Sequence, residues 1–153
     1  MAENTTTIRS EVDWQAGRKA HPTELNRVRT AVIDSAATYA AVPSGDTIAT
    51  HLVIPAGSRV LLPVSFSCAV GTASSTLSVG IRNASTKAAI DATAVVNAVS
   101  AATAVTGQYN TGTKLISGQY YTMPTDVELY LTTGGATLLA NQPFRFEVQW
   151  VSP

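Results

Sequence analysis

The sequence predicts an all-β chain, an antiparallel jelly-roll-like β-sandwich with an extended N-terminal arm. Three observations predict it. Apolar residues recur with period two in several short runs, as half-buried strands require, because successive side chains point to opposite faces. Turn signals interrupt those runs every eight to twelve residues, and eight to ten short strands can be counted. Charged residues make up only 13% of the 153-residue chain, against about 25% in ordinary globular proteins. Ala, Thr, Ser, Gly and Val fill the difference. A surface so poor in charge suits either a subunit covered by neighbours or a Thr/Ser-rich stable β-domain. The length allows one domain with a real core.

Residues 1–30 stand apart and are read as the arm. Residues 1–34 hold ten of the twenty charged residues, and their apolar residues are sparse: Ile8, Val12, Trp14, Leu25 and Val28. His21-Pro22 interrupts any helix there, because the residue before proline is pushed out of the α region. Thr23 could cap a short helical turn. Trp14 is the notable residue. A tryptophan in a polar segment either folds back on its own domain or seeks a partner surface.

Residues 31–153 carry the strand pattern and form the predicted body. Ala31-Val32-Ile33 leads toward Ala36–Ala40, and Pro43-Ser44-Gly45-Asp46 turns. Asp46–Phe66 (DTIATHLVIPAGSRVLLPVSF) reads as a hairpin. Ile48, Leu52 and Ile54 lie before the turn; Val60, Leu62, Val64 and Phe66 share a face after it. Pro55 lacks an N–H and ends the first strand, and Gly57 supplies the turn's freedom. Leu77, Val79 and Ile81 form the next inward face, and Asn83–Thr86 connects back to Lys87–Asp91. Ala92–Thr106 is valine-rich and ambiguous, read as strand or irregular. Gly107–Gly112 reads as turn; Lys114–Ser117 and Tyr120–Met123 read as strand pieces. Asp126–Thr132 places Val127, Leu129 and Leu131 inward, with Asp126, Glu128 and Tyr130 outward. Ala136–Ala140 continues it. Phe144, Phe146, Val148 and Trp150 alternate in the last strand. A jelly roll of eight strands fits this count, and an immunoglobulin-like sandwich is the main rival.

No sequence motif signals catalysis, and no cofactor or metal is called for. The zinc motif His-Glu-x-x-His, Cys-x-x-Cys, phosphate-binding glycine loops and Gly-x-Ser-x-Gly are absent. His21 and His51 lie far apart in sequence. Asp126 and Glu128, about 7 Å apart along a strand, could form a hydrolytic pair, but a solvated outer face explains them better. Cys68 reads as a small core residue. Net charge is zero, so no footprint for nucleic acid is visible. No membrane span and no signal peptide are read, which makes the sequons at Asn4 and Asn83 accidental. Tyr109, Tyr120, Tyr121 and Tyr130 could build an aromatic platform for a sugar, which would make the chain a carbohydrate- or receptor-binding module.

The stretches HLVIPAGSRVLLPVSF, LSVGIRNASTKAAID and NQPFRFEVQWV, preceded by a charged leader, resemble in overall character the cement or decoration proteins of tailed-bacteriophage capsids. That resemblance implies a jelly-roll-like body, a homotrimer, and a place on the outer surface of the virion after synthesis in the host cytoplasm. It implies binding between major capsid protein subunits, which stabilises the shell, and no enzymatic activity. The arm then becomes the capsid-binding element. Ile8, Val12 and Trp14 are its expected anchors, and Arg9, Arg18, Lys19, Arg27 and Arg29 its partners for capsid carboxylates.

Overall fold

Nine strands appear in a computed structural model that describes residues 3–4, 28–114 and 121–152. They are β1 (Glu3–Asn4), β2 (Val28–Asp34), β3 (Thr47–Ile54), β4 (Arg59–Cys68), β5 (Thr76–Asn83), β6 (Ala89–Ser100), β7 (Val105–Tyr109), β8 (Val127–Gly134) and β9 (Phe144–Val151). One sheet has the order β1-β3-β8-β5-β6, the other β2-β9-β4-β7. Apart from the short parallel pairing of β1 on β3, every pairing is antiparallel. The chain is an all-β sandwich. Its strand pairs are nested: β5 beside β6, β4 beside β7, β3 beside β8, β2 beside β9.

The inward faces of both sheets supply a single core. Leu77, Val79 and Ile81 from β5, Val127, Leu129 and Leu131 from β8, and Phe144, Phe146, Val148 and Trp150 from β9 are all buried, as alternation predicts. Phe66 and Phe146 face each other across β4 and β9, with ring centroids 4.4 Å apart.

The predicted hairpin at 46–66 is corrected. Its two strands exist, but β3 pairs with β8 and β4 pairs with β9 and β7, so the chain crosses from one sheet to the other. Alternation identifies a buried face and says nothing of which strand lies alongside. The turn's amides are satisfied by a distant segment. Ala56 N–H donates to Asp126 Oδ1 and Gly57 N–H to the Met123 carbonyl, while Met123 N–H donates to the Ser58 carbonyl. Gly57 has φ of 80°, which glycine adopts without strain.

Both crossing strands carry a bulge that preserves alternation. In β3, Thr50, His51 and Leu52 stand opposite the single residue Leu129. In β4, Leu62, Pro63 and Val64 stand opposite Val148. Two extra residues are an even number, so the apolar set returns to the same face. At the first bulge Thr50 Oγ1 donates to the Leu129 carbonyl and accepts Leu52 N–H, replacing the lost ladder bonds.

Other expectations shift. Val28, Arg29 and Thr30 already belong to β2, paired with Val151, Trp150 and Gln149 of β9. Ala36–Ala40 is a loop, as is Ala136–Ala140 apart from the bridge Val42↔Leu138. Gly107 lies within β7 rather than in a turn. Tyr121–Met123 is not strand, and residues 115–120 lie outside the described residues.

The loops between β2 and β3, β4 and β5, β6 and β7, and β8 and β9 meet at one end of the sandwich and are bonded together. Tyr39 O–H donates to the Gln142 carbonyl at 2.6 Å, and Asn141 Oδ1 accepts Tyr39 N–H. The Gln142 amide nitrogen donates to the carbonyls of Ala69 and Ala101. Burial pushes the Tyr39 phenol up to about 12 from 10. The unfolded chain therefore releases this proton first, and stability falls as pH rises from 10 towards 12. Tyr39→Phe is expected to be less stable at pH 7 by about 1 kcal/mol but to lose less between pH 10 and 12, as urea unfolding at each pH would read.

Candidate functional site

The described residues concentrate their polar chemistry on the outer face of the β3-β8-β5-β6 sheet. Arg82 of β5 and Glu128 of β8 are direct cross-strand partners. Glu128 is fully buried. Its carboxylate accepts Arg82 Nε and Nη2, both at 3.1 Å, and also the Lys87 ammonium. Its fourth donor is the backbone N–H of His51, at 3.2 Å, presented by the β3 bulge with φ of 60°. Burial alone would raise the Glu128 carboxyl. The two cations outweigh it and hold the group below its ordinary range. The Arg82 guanidinium also lies 5.3 Å from the Tyr130 ring centroid.

Beside this cluster, Asp91 accepts Thr93 N–H and the hydroxyls of Thr93 and Thr113. Burial raises Asp91, but these bonds and Lys114 hold it low. Tyr121 and Tyr130 are pushed up, first by burial, with Asp91 adding to the shift. The polar residues at 126–130 thus do not form the solvated outer face expected of them. Glu128 and Tyr130 are buried, and only Asp126 is exposed.

A carboxylate held ionised by four donors has no lone pair or proton to offer a substrate, so Glu128 is not built for acid–base work. Asp126 is exposed and accepts the Ala56 N–H at 2.9 Å. Among the described residues, no three His, Cys, Asp or Glu side chains gather to hold a metal. Nor do the tyrosines form one platform. Tyr130 is 3% exposed beneath Arg82, whereas Tyr109 lies in the other sheet, edge-on to Phe66. Tyr120 lies outside the described residues. Cys68 is half-buried rather than a core residue, and burial raises its thiol. It lines an open hollow of about 600 Å³ with Asp34, Ser35, Ala69, Pro143 and Arg145. There Arg145 pairs with Asp34 at 3.3 Å.

Of the predicted arm contacts, Ile8, Arg9, Val12, Trp14, Arg18, Lys19 and Arg27 lie outside the described residues. Arg29 sits in β2, opposite Trp150 of β9. The Arg82–Glu128–Lys87 cluster escaped the sequence reading. Glu128 lies more than forty positions from both Arg82 and Lys87, and the three carry no shared motif.

No protein-family model matches the chain, and no curated protein matches it. Two solved structures are similar. A chain of the capsid of Ralstonia phage GP4 aligns with a TM-score of 0.68 at 11% identity, covering 100% of this chain and 97% of that one. A chain of the cyanophage Pam1 capsid asymmetric unit aligns with a TM-score of 0.41 at 14% identity, over 95% of this chain and 100% of that one. The first likeness establishes a shared fold.

Proposed function

We propose that this chain is a structural protein of a phage virion, without catalytic activity. The observation that carries the reading is the full-length likeness to a chain of a phage capsid: nearly all of each chain is matched. A domain grafted onto an unrelated protein would match only in part. The interior supports it as well. The buried carboxylate is saturated by structural donors, which suits a rigid brace and leaves no reactive centre there.

The finer reading is a cement or decoration protein on the outer surface of the head. Its jelly-roll body, supported by the nested pairing of eight strands, would assemble as a homotrimer between major capsid protein subunits. The segment before β2 supplies the clamp. Ile8, Val12 and Trp14 anchor it, and Arg9, Arg18, Lys19 and Arg27 pair with capsid carboxylates. Arg29 extends that basic row onto the body.

Removal of residues 1–27 tests this, because it leaves β2 whole. The truncated chain is expected to fold, to keep a cooperative urea transition, and to stop co-sedimenting with purified shells that lack this protein. Trp14→Ala in the full chain is expected to weaken shell binding about thirtyfold, the effect of losing an interface anchor worth about 2 kcal/mol. Normal shell binding by the truncated chain would refute the clamp.

A further inference from the structure

The sheet β1-β3-β8-β5-β6 closes its two edges in different ways. At the β6 edge the cover is local and bonded through side chains. Thr111 Oγ1 accepts Asn97 N–H and donates to the Asn97 carbonyl, and Thr113 Oγ1 donates to Asp91 Oδ2 at 2.7 Å. A Cβ on Gly112 would lie 2.4 Å from the carbonyl oxygens of Ala94 and Val95, so the covering segment lies flat on the strand. At the other edge, β3 is met by a segment far away in sequence. Glu3 and Asn4 of β1 pair in parallel with Thr47 and Ile48.

The rest of the β3 edge does not invite a strand. At the bulge His51 has φ of 60°, its N–H is taken by Glu128, and Leu52 N–H is taken by Thr50 Oγ1. A bulge of this kind blunts an edge. The first residues of β3, ahead of the bulge, are where an added strand fits, and β1 lies there.

Two residues hold β1 weakly. They offer few hydrogen bonds, and the net gain of each is about matched by the backbone freedom that the bonded residue gives up. Residues 5–27 join β1 to β2. Fully extended, a segment of that length spans about 75 Å. Tied to the body at both ends, it can stand off by no more than about half of that. The tether also makes the chain's own tip the strongest competitor for the edge in dilute solution.

We infer that β1 is a releasable latch: it parks the tip of the leader on the β3 edge of the same chain, and shell binding requires its release. The inference rests on the clamp reading above, in which residues between β1 and β2 grip the shell. A latched leader has a shortened reach, and an unlatched one has its full length.

The test locks the latch. Glu3→Cys and Thr47→Cys replace direct partners in the ladder, at a strand separation that a disulfide can bridge. Cys68→Ser removes the chain's other thiol. Mild oxidation of the dilute protein is expected to give a cross-linked monomer. The oxidised protein is expected to bind purified shells that lack this protein at least tenfold more weakly than the same protein after reduction, which serves as the folding control. A second measurement leaves β3 untouched. A spin label on Glu3→Cys, again with Cys68→Ser, is expected to broaden the Thr47 and Ile48 amide signals of the free chain. Unbroadened signals, or cross-linked dimers in place of monomers, would overturn the latch. Equal shell binding by the oxidised and reduced forms would overturn it as well and leave the clamp standing. Failure of the wild-type chain to bind shells would overturn both.

Discussion

Glu128→Ala is expected to destabilise the protein by about 3–5 kcal/mol, the usual consequence of stranding one partner of a buried ion pair. Arg82 is 6% exposed, and its Nε and Nη2 would lose the two carboxylate oxygens they now donate to. The β3 bulge would also lose the acceptor for His51 N–H. Urea unfolding at neutral pH measures the loss directly. The same carboxylate sets an acid limit. Its folded pKa lies below its unfolded value near 4.5. Its stabilisation is therefore complete above about pH 4.5 and is lost as pH falls through the depressed folded value. Glu128→Gln, already without the charge, is expected to show a shallower decline over that acid range. Decline at the wild-type slope would show that Glu128 does not set the limit.

Phe146→Ala is expected to cost a similar amount, about 3–5 kcal/mol, by opening a cavity at the centre of the sandwich. Phe146 is wholly buried, stacked at 4.4 Å on Phe66, which in turn meets Tyr109 edge-on at 6.1 Å. Phe66→Ala should behave alike. The double variant should lose less than the sum of the two, by about 0.5–1.5 kcal/mol, because each single change already breaks the ring pair. Strict additivity in denaturant titrations would show that the stacking contributes nothing beyond burial.

The parts of this fold that sequence reveals are those in which one strand obeys one register. Strands β5, β8 and β9 do so on their core faces, and their inward residues are those that period two selects. Strand β6 does not. It shifts register against β5 three times, and Ala94, Val95 and Val96 are buried in succession. No fixed period describes such a strand, which is why Ala92–Thr106 is ambiguous. Gly80 allows the longest shift, because a Cβ there would lie 2.6 Å from Ala92 Cα and the Asp91 carbonyl oxygen. The polar cluster is hidden for a different reason. Alternation places Glu128 and Tyr130 away from the core and equates that with solvent. Only the three-dimensional pairing brings Arg82 and Lys87 over them. The crossing of β3 and β4 between sheets is hidden likewise, since Pro55–Ser58 would serve a hairpin equally well and its hydrogen-bond partners lie near residue 125.

The nested pairing also orders events in time. Strands β5 and β6 meet across a short turn, whereas β2 must find β9 more than a hundred positions along the chain. Closing that largest loop gives no contacts until most of the conformational entropy has been surrendered. Folding should therefore spread outward from the β5–β6 ribbon on a millisecond-to-second scale. The last strands to zip are β2 and β9, so a clamp of the kind proposed for the segment before β2 would offer its partner a finished body or none.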